Sequence, residues 1–169
     1  MSARVAVVVG NPKPRSRTHA AAVHLATEIA GRAPELVVDL ADLGAGLLDW
    51  SDTSVDVVLS EVRAADLVVV ASPTYKATYT GLLKLFLDRF PPAGLRDVVA
   101  VPLMLGASPA HALAPELTLR PVLTELGATV PVRGAYVVDA SYDDPAAYVE
   151  WLAAARPVLA SLLPEGAAA

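Results

Sequence analysis

The chain of 169 residues contains no cysteine. Disulfides, zinc sites built from thiolates and a cysteine nucleophile are therefore excluded, and the composition is compatible with a reducing compartment. No apolar run approaches the roughly 20 residues that a membrane-spanning helix needs, and the N-terminus has no charged segment followed by a cleavable apolar core. We therefore expect a soluble, cytoplasmic protein with no membrane partner.

Positive charge is also scarce, since 13 Lys and Arg residues stand against 18 Asp and Glu residues. The resulting net charge of −5 and pI near 5.1 argue against nucleic acid as the main partner. Even so, no acidic residue precedes Glu28. This asymmetry marks the N-terminal part of the chain as a place where an anionic ligand could bind.

Apolar residues make up 54% of the chain, enough for the core of one domain. Runs rich in valine and leucine alternate with segments of helical periodicity, which gives the order βαβαβαβαβα. The predicted strands are 5–9, 36–39, 67–71, 98–105 and 129–138, and the predicted helices are 20–30, 55–64, 79–90, 113–126 and 144–163. Pro102 would normally mark an edge strand or a bulge, Pro115 and Pro121 predict an irregular start or a kink in the fourth helix, and 164–169 is expected to fray.

Such an alternation predicts an α/β fold, a doubly wound parallel sheet of strand order 2-1-3-4-5 with helices on both faces. Ligands bind to such sheets outside the carboxyl ends of the strands, where the strand order reverses. The loops 10–18, 71–79 and 105–111 follow three strands that would lie side by side. Since all three loops are rich in Gly, Pro, Ser or Thr, we expect one ligand site there.

The first of these loops has the features of a phosphate site. Ser16 or Thr18 can cap the first helix, whose N-terminal N–H groups and dipole favour an anion, and Arg17 adds a guanidinium. The alternative is that these are ordinary capping residues and solvated basic side chains. The loop matches neither G-x-x-x-x-G-K-[ST] nor G-x-G-x-x-G, which disfavours nucleoside triphosphates and a dinucleotide bound as in Rossmann folds.

Three segments together resemble a known family. They are GNPKPRSRT at 10–18, SPTYKATYTGLLKLFLD at 72–88, and VAVPLMLGASPAHALAPELTLRPVL at 99–123. They are similar to the flavodoxin-like NAD(P)H-dependent FMN reductases, above all to those of the alkanesulfonate two-component systems. The resemblance implies a flavodoxin-like fold, FMN and NADPH or NADH as ligands, a possible flavin-dependent monooxygenase partner, and a homodimer or homotetramer.

The resemblance also implies roles for the three loops. The first would hold the FMN phosphate, the second the flavin ring and ribityl chain, and the third the ring and the nicotinamide side. The implied cofactor-binding residues are Asn11, Ser16, Arg17 and Thr18, then Pro73, Thr74, Tyr75 and Lys76, then Gly106, Ala107, Ser108 and His111. Hydride transfer between nicotinamide and flavin needs no side-chain acid or base, so no catalytic residue is expected.

The chain departs from the family at three positions. Asn11 and Ala107 stand where Ser and Gly are usual, and Leu117 replaces a Tyr that several two-component members carry in the fourth helix. That Tyr has been tied to flavin release, so its absence leaves open whether FMN is a diffusing substrate or a retained cofactor.

Other functions remain as alternatives. A flavodoxin-like electron carrier, or a non-catalytic descendant that binds another phosphate ligand, could share the fold. Tyr75 and His111 could serve packing or capping instead of ligand binding. A hydrolase triad of Ser72, His111 and Asp139 is disfavoured because G-x-S-x-G is missing, and no pair of histidines has metal-binding spacing.

Overall fold

Five parallel strands form one sheet in a computed structural model that describes residues 3–164. Its order, β2-β1-β3-β4-β5, confirms the predicted topology. The strands are β1 Val5–Val9, β2 Leu36–Asp39, β3 Leu67–Pro73, β4 Val99–Gly106 and β5 Ala135–Val138. The unbroken apolar run of β1 is buried along its whole length, as expected for a strand covered on both faces.

Helices connect the strands and cover both faces of the sheet. They are α1 Arg17–Ala30, α2 Thr53–Arg63, α3 Gly81–Leu87, α4 Arg120–Glu125 and α5 Ala146–Ala160. Helices α1 and α5 pack over the face that Val5, Val7 and Val9 present, whereas α2 and α3 cover the opposite face. The predicted frayed tail lies, beyond Pro164, outside the described residues.

The fifth strand is shorter than the predicted 129–138. Thr129 makes only an isolated bridge with Val99, and regular pairing begins at Ala135. Between them, Pro131 lacks an N–H donor, and the Arg120 guanidinium donates to the carbonyls of residues 130 and 132 at 2.6 and 2.8 Å. The segment is thus held by a side chain in place of a neighbouring strand.

The proline expected to mark an edge or a bulge lies in an interior strand. The Ala100 N–H donates to the Thr129 carbonyl at 2.8 Å, so the nitrogen of Pro102, two residues on, faces the same side. Pairing with β5 starts one residue later, at Leu103. Pro102 therefore removes no ladder hydrogen bond.

The remaining helix predictions are correct in place but differ in length. Helix α3 is shorter than the predicted 79–90 because Thr80 is its N-cap, accepting from the Leu83 N–H at 3.1 Å. The irregular start predicted for the fourth helix is confirmed, since Pro115–Leu119 is π-helical and only Arg120–Glu125 is α-helical. The 41–51 connection contains two short 3-10 helices.

Candidate functional site

Three polar loops meet at the carboxyl edge of the sheet, after β1, β3 and β4. These three strands are neighbours in the sheet, and backbone hydrogen bonds join adjacent strands at the points where the loops begin. The Gly10 N–H donates to the Ala71 carbonyl at 2.7 Å, and the Thr74 N–H to the Leu105 carbonyl at 2.6 Å. The Thr80 hydroxyl closes the first contact by donating to the Gly10 carbonyl at 2.5 Å. The predicted convergence of the loops is confirmed.

The first loop leads into α1 and leaves donors unpaired. Ser16 is the N-cap, and its hydroxyl oxygen accepts from the His19 N–H at 3.2 Å. Within residues 3–164 nothing accepts from the backbone N–H groups of Ser16, Arg17 and Thr18. These groups and the helix dipole make the first turn of α1 a place where an anion could bind.

Asn11 gives this loop its shape. Its buried amide donates to the Thr18 hydroxyl at 3.0 Å, and its carbonyl oxygen accepts from the Lys13 N–H at 3.0 Å. The side chain thus joins the start of the loop to α1. A ligand contact of Asn11 stays a prediction.

A carboxylate that the sequence analysis did not single out holds the middle of the loop. Asp39, at the end of β2, accepts from the Arg15 N–H at 2.8 Å, while the Arg15 guanidinium also pairs with Asp42 at 2.7 Å. Arg15 needs this support because its φ is 52°, in the left-handed region. Hydrogen bonds to Asp42 and Asp39 raise the pKa of Arg15.

The Arg17 side chain contacts two residues of the connection that follows β5. Its Nη1 lies 2.5 Å from Oδ2 of Asp139, which directly follows β5, and its guanidinium carbon lies 5.7 Å from the centre of the Tyr142 ring. Neither contact was predicted, because both join residues more than a hundred positions apart in the sequence. Arg17 therefore has an internal anionic partner within reach of the predicted phosphate site.

The second loop is a tight hairpin. The N–H groups of Tyr75 and Thr78 each donate to the other residue's carbonyl, at 2.8 and 3.2 Å, and the intervening Lys76 and Ala77 have φ of 52° and 68°. The exposed side chain of Tyr75 lies beside this turn. The Thr74 hydroxyl oxygen is buried near the Tyr136 hydroxyl, but it makes no hydrogen bond of good geometry in the described part of the chain. An unpaired buried hydroxyl is a position where a ligand could supply the missing partner.

The third loop rests on a tyrosine of the edge strand. The Tyr136 hydroxyl donates to the Ser108 carbonyl at 2.7 Å. It lies so close to Gly106 that a Cβ added there would come within 2.0 Å of it. Burial raises the pKa of Tyr136, although the nearby Thr74 hydroxyl acts in the opposite direction. Ala107, Ser108 and His111 are exposed along this loop.

The triad alternative fails on geometry. Ser72 is fully buried, and its hydroxyl donates to the Pro73 carbonyl at 2.8 Å and accepts from the Thr80 N–H at 3.0 Å. The hydroxyl is thus used to fix the second loop. Among residues 3–164, His, Asp and Glu side chains form no cluster suited to a metal ion. No helix in the same range is both long and apolar enough to cross a membrane.

Comparison with known sequences identifies a matching family. The family model described as NADPH-dependent FMN reductase matches residues 3–143. The chain is 32% identical over 148 residues to the NADH-dependent FMN reductase SfnF of Pseudomonas putida, covering 83% of this chain and 80% of that protein. It is 39% identical over 84 residues to an FMN reductase (NADPH) of Escherichia coli K12, covering 50% of this chain but only 44% of that relative.

Comparison with solved structures agrees with the family match. An NADH:FMN oxidoreductase (EMOB) in its apo form superposes with a TM-score of 0.85 at 30% identity, over 97% of this chain and 91% of that one. An oxidoreductase from Corynebacterium diphtheriae superposes with a TM-score of 0.70 at 26% identity, over 96% and 98%. The similarity therefore extends over nearly the whole fold, including the three loops.

Proposed function

Because the chain belongs to the NADPH-dependent FMN reductase family, we propose that it transfers a hydride from NADPH or NADH to FMN. The observation that carries this proposal is the convergence of three polar loops at the ends of β1, β3 and β4, beside unpaired donors of α1. The reduced flavin would pass its electrons to a free flavin, a quinone or a partner monooxygenase.

The phosphate of FMN fits the first loop. Three consecutive backbone N–H groups, from Ser16 to Thr18, would donate to its oxygens, and the Arg17 guanidinium lies on the same turn. The helix dipole adds a favourable field for a dianion. Asn11 would keep these donors in place through its bond to Thr18.

The flavin ring fits between the second and third loops. The Thr74 hydroxyl gives one polar contact, and exposed Tyr75 gives an aromatic surface at the rim. Gly106 lies at the end of β4, where the third loop begins, and close to the Thr74 hydroxyl of the second loop. Bound FMN would supply the hydride acceptor, and the protein would supply orientation, hydrogen bonds and the positive charge of Lys76.

This proposal is tested by adding NADPH or NADH anaerobically to the purified protein with excess FMN and following flavin absorbance. Bleaching over many turnovers is the expected result, and it would show that free FMN is a substrate. Bleaching of bound flavin alone would instead indicate a retained cofactor. Bound FMN that neither nucleotide bleaches would refute the reductase and favour the electron carrier.

Three finer expectations stay predictions. They are the homodimer or homotetramer, the flavin-dependent monooxygenase partner and the cytoplasmic location. Side chains such as Trp50 on the connection before α2 and Leu117 on the π-helical turn expose much apolar surface, which is compatible with contacts between copies of the chain. Size-exclusion chromatography with light scattering tests the first of these expectations.

A further inference from the structure

The Arg17 guanidinium has two features that set it apart from a fixed structural arginine. It stands at the first position of α1, beside the unpaired N–H groups, yet one of its nitrogens is bound by the Asp139 carboxylate. Both side chains are open to solvent, with 59% of Arg17 and 39% of Asp139 exposed. An exposed ion pair of this kind is weak and can exchange partners readily.

A second arginine of the same protein shows the contrast. The Arg89 side chain is only 3% exposed, and its guanidinium donates to the carbonyls of Asp49 and Asp52 and to the Asp56 carboxylate. Moving the Arg89 guanidinium would break three hydrogen bonds and leave a buried cation without its partners. Arg17 has no such shell among the described residues, so its pairing can be changed at little cost.

We propose that Asp139 is an internal competitor for the phosphate of FMN. This inference rests on the proposed function. In the flavin-free protein the Asp139 carboxylate binds the Arg17 guanidinium beside the first turn of α1. When FMN binds, the phosphate takes over the guanidinium. Asp139 thereby lowers the affinity for FMN and speeds its release, as suits a flavin that is exchanged as a substrate.

Tyr142 limits how far the guanidinium travels in this exchange. Its ring lies under the Arg17 guanidinium at 5.7 Å, within the range of a cation–π contact. The ring can keep the cation near the first turn of α1 while its anionic partner changes. Asp139 and Tyr142 are joined by a short 3-10 turn, Asp139–Ser141, so both contacts come from one connection between β5 and α5.

The test compares Asp139→Asn with Asp143→Asn, measuring the dissociation constants of FMN and riboflavin by flavin fluorescence. Asp143 is an exposed carboxylate in the same connection, and Arg17 forms its ion pair with Asp139 and not with Asp143, so the Asp143 variant controls for the change in charge. For Asp139→Asn we expect FMN to bind about 2- to 10-fold more tightly and to dissociate more slowly by a similar factor. Riboflavin, which lacks the phosphate, should bind both variants as it binds the wild type.

A double variant separates competition from simple repulsion. If Asp139 acts by occupying Arg17, then Asp139→Asn should give no gain for FMN in an Arg17→Ala background. A gain that persists there would mean that Asp139 repels the phosphate directly, and it would overturn the inference.

Several other results would also overturn it. Weaker FMN binding by Asp139→Asn would mean that Asp139 positions Arg17 for the phosphate. Unchanged FMN binding would mean that Arg17 does not leave Asp139 when FMN binds. Equal gains for riboflavin, or for Asp143→Asn, would show an effect unrelated to the phosphate. A wild type that reduces FMN while Asp139→Asn changes nothing would refute this inference alone, whereas failure of both proteins to bind FMN would refute the proposed function as well.

Discussion

The two edges of the parallel sheet use similar polar groups in opposite ways. At the amino edge, the Asp66 carboxylate accepts from the Arg4 N–H at 2.6 Å and the Glu35 carboxylate accepts from the Val5 N–H at 2.8 Å. At the carboxyl edge, three N–H groups of α1 and the Thr74 hydroxyl have no acceptor within residues 3–164. Bonds completed inside the protein stabilise the fold, whereas donors left unpaired can bind a ligand.

The ion pairs at the two edges of the sheet also differ. At the amino edge, Arg32 pairs with Glu35 and donates to the Ala3 carbonyl, while its buried Nε has no partner within residues 3–164. The Arg17–Asp139 pair at the carboxyl edge is exposed and bridges two separate loops. The comparison predicts that changes at the carboxyl edge alter binding, and that changes at the amino edge alter only stability.

The largest effect on binding is expected from Arg17→Ala. Charge-assisted hydrogen bonds contribute about 1.5–3 kcal/mol, so FMN should bind at least about 10-fold more weakly. Riboflavin is the control, because it carries no phosphate and should bind almost unchanged. Titration of both flavins by fluorescence measures the difference. Equal losses of affinity for the two flavins would show that Arg17 does not contact the phosphate.

A large effect on stability is expected from Gly10→Ala. The added Cβ would lie 2.4 Å from the Cβ of Leu83, so α3 must move away from the sheet. Overpacking of this kind costs about 1–3 kcal/mol. Gly81→Ala is the matched control, since a Cβ there meets nothing within 4 Å and alanine favours the helix. Urea unfolding should therefore show opposite shifts, and a stable Gly10→Ala protein would contradict this packing.

A smaller effect is expected from Glu35→Gln at the amino edge. Burial raises the pKa of Glu35, but hydrogen bonds from Val5 and Arg32 outweigh burial and leave the pKa below its ordinary value of 4.5. The carboxylate thus contributes stability above the unfolded-state pKa, and this contribution is lost as the pH falls through the folded-state pKa. The variant should lose about 0.5–1.5 kcal/mol near neutral pH.

The pH dependence and flavin binding provide the checks on that variant. The difference in unfolding free energy between wild type and Glu35→Gln should shrink as the pH is lowered towards about 4. FMN affinity should not change, because Glu35 lies at the opposite edge of the sheet from the three loops. A stability difference that stays constant with pH, or a loss of FMN binding, would contradict the division between the edges.

The smallest effect is expected from Tyr136→Phe, which removes the hydroxyl under the third loop. Loss of one hydrogen bond to the Ser108 carbonyl should raise KM for the nicotinamide nucleotide about 2- to 10-fold, with little change in FMN affinity. Tyr148→Phe is the control, because it removes a comparable bond to the Tyr142 carbonyl in the α1–α5 core. Equal KM values for the two variants would show that the third loop does not contribute to nicotinamide binding.

Much of the fold could be predicted from local sequence signals. The β-branched runs of β1 and β3 and the capping residue Ser16 carry their structure in adjacent positions, and the structure confirms all three. The start of β5 was harder. Before it, the Arg120 guanidinium donates to the carbonyls of residues 130 and 132 in place of strand pairing, which no local pattern indicates.

The parts of the site that were missed depend on long-range contacts. Asp39, Asp139 and Tyr136 each contact a loop that is distant in the sequence, and none lies in a motif. The hairpin at Lys76 and Ala77 was missed for another reason. Its two left-handed residues are neither Gly nor Asn, so the usual turn signal is not present.

The central claim, that the carboxyl edge binds the phosphate of a flavin, is tested most directly by titrating the wild-type protein with FMN and with riboflavin in a calorimeter. The account predicts that FMN binds at least about 10-fold more tightly, since only its phosphate can use the donors of α1 and Arg17. Equal affinities for the two flavins would contradict the account.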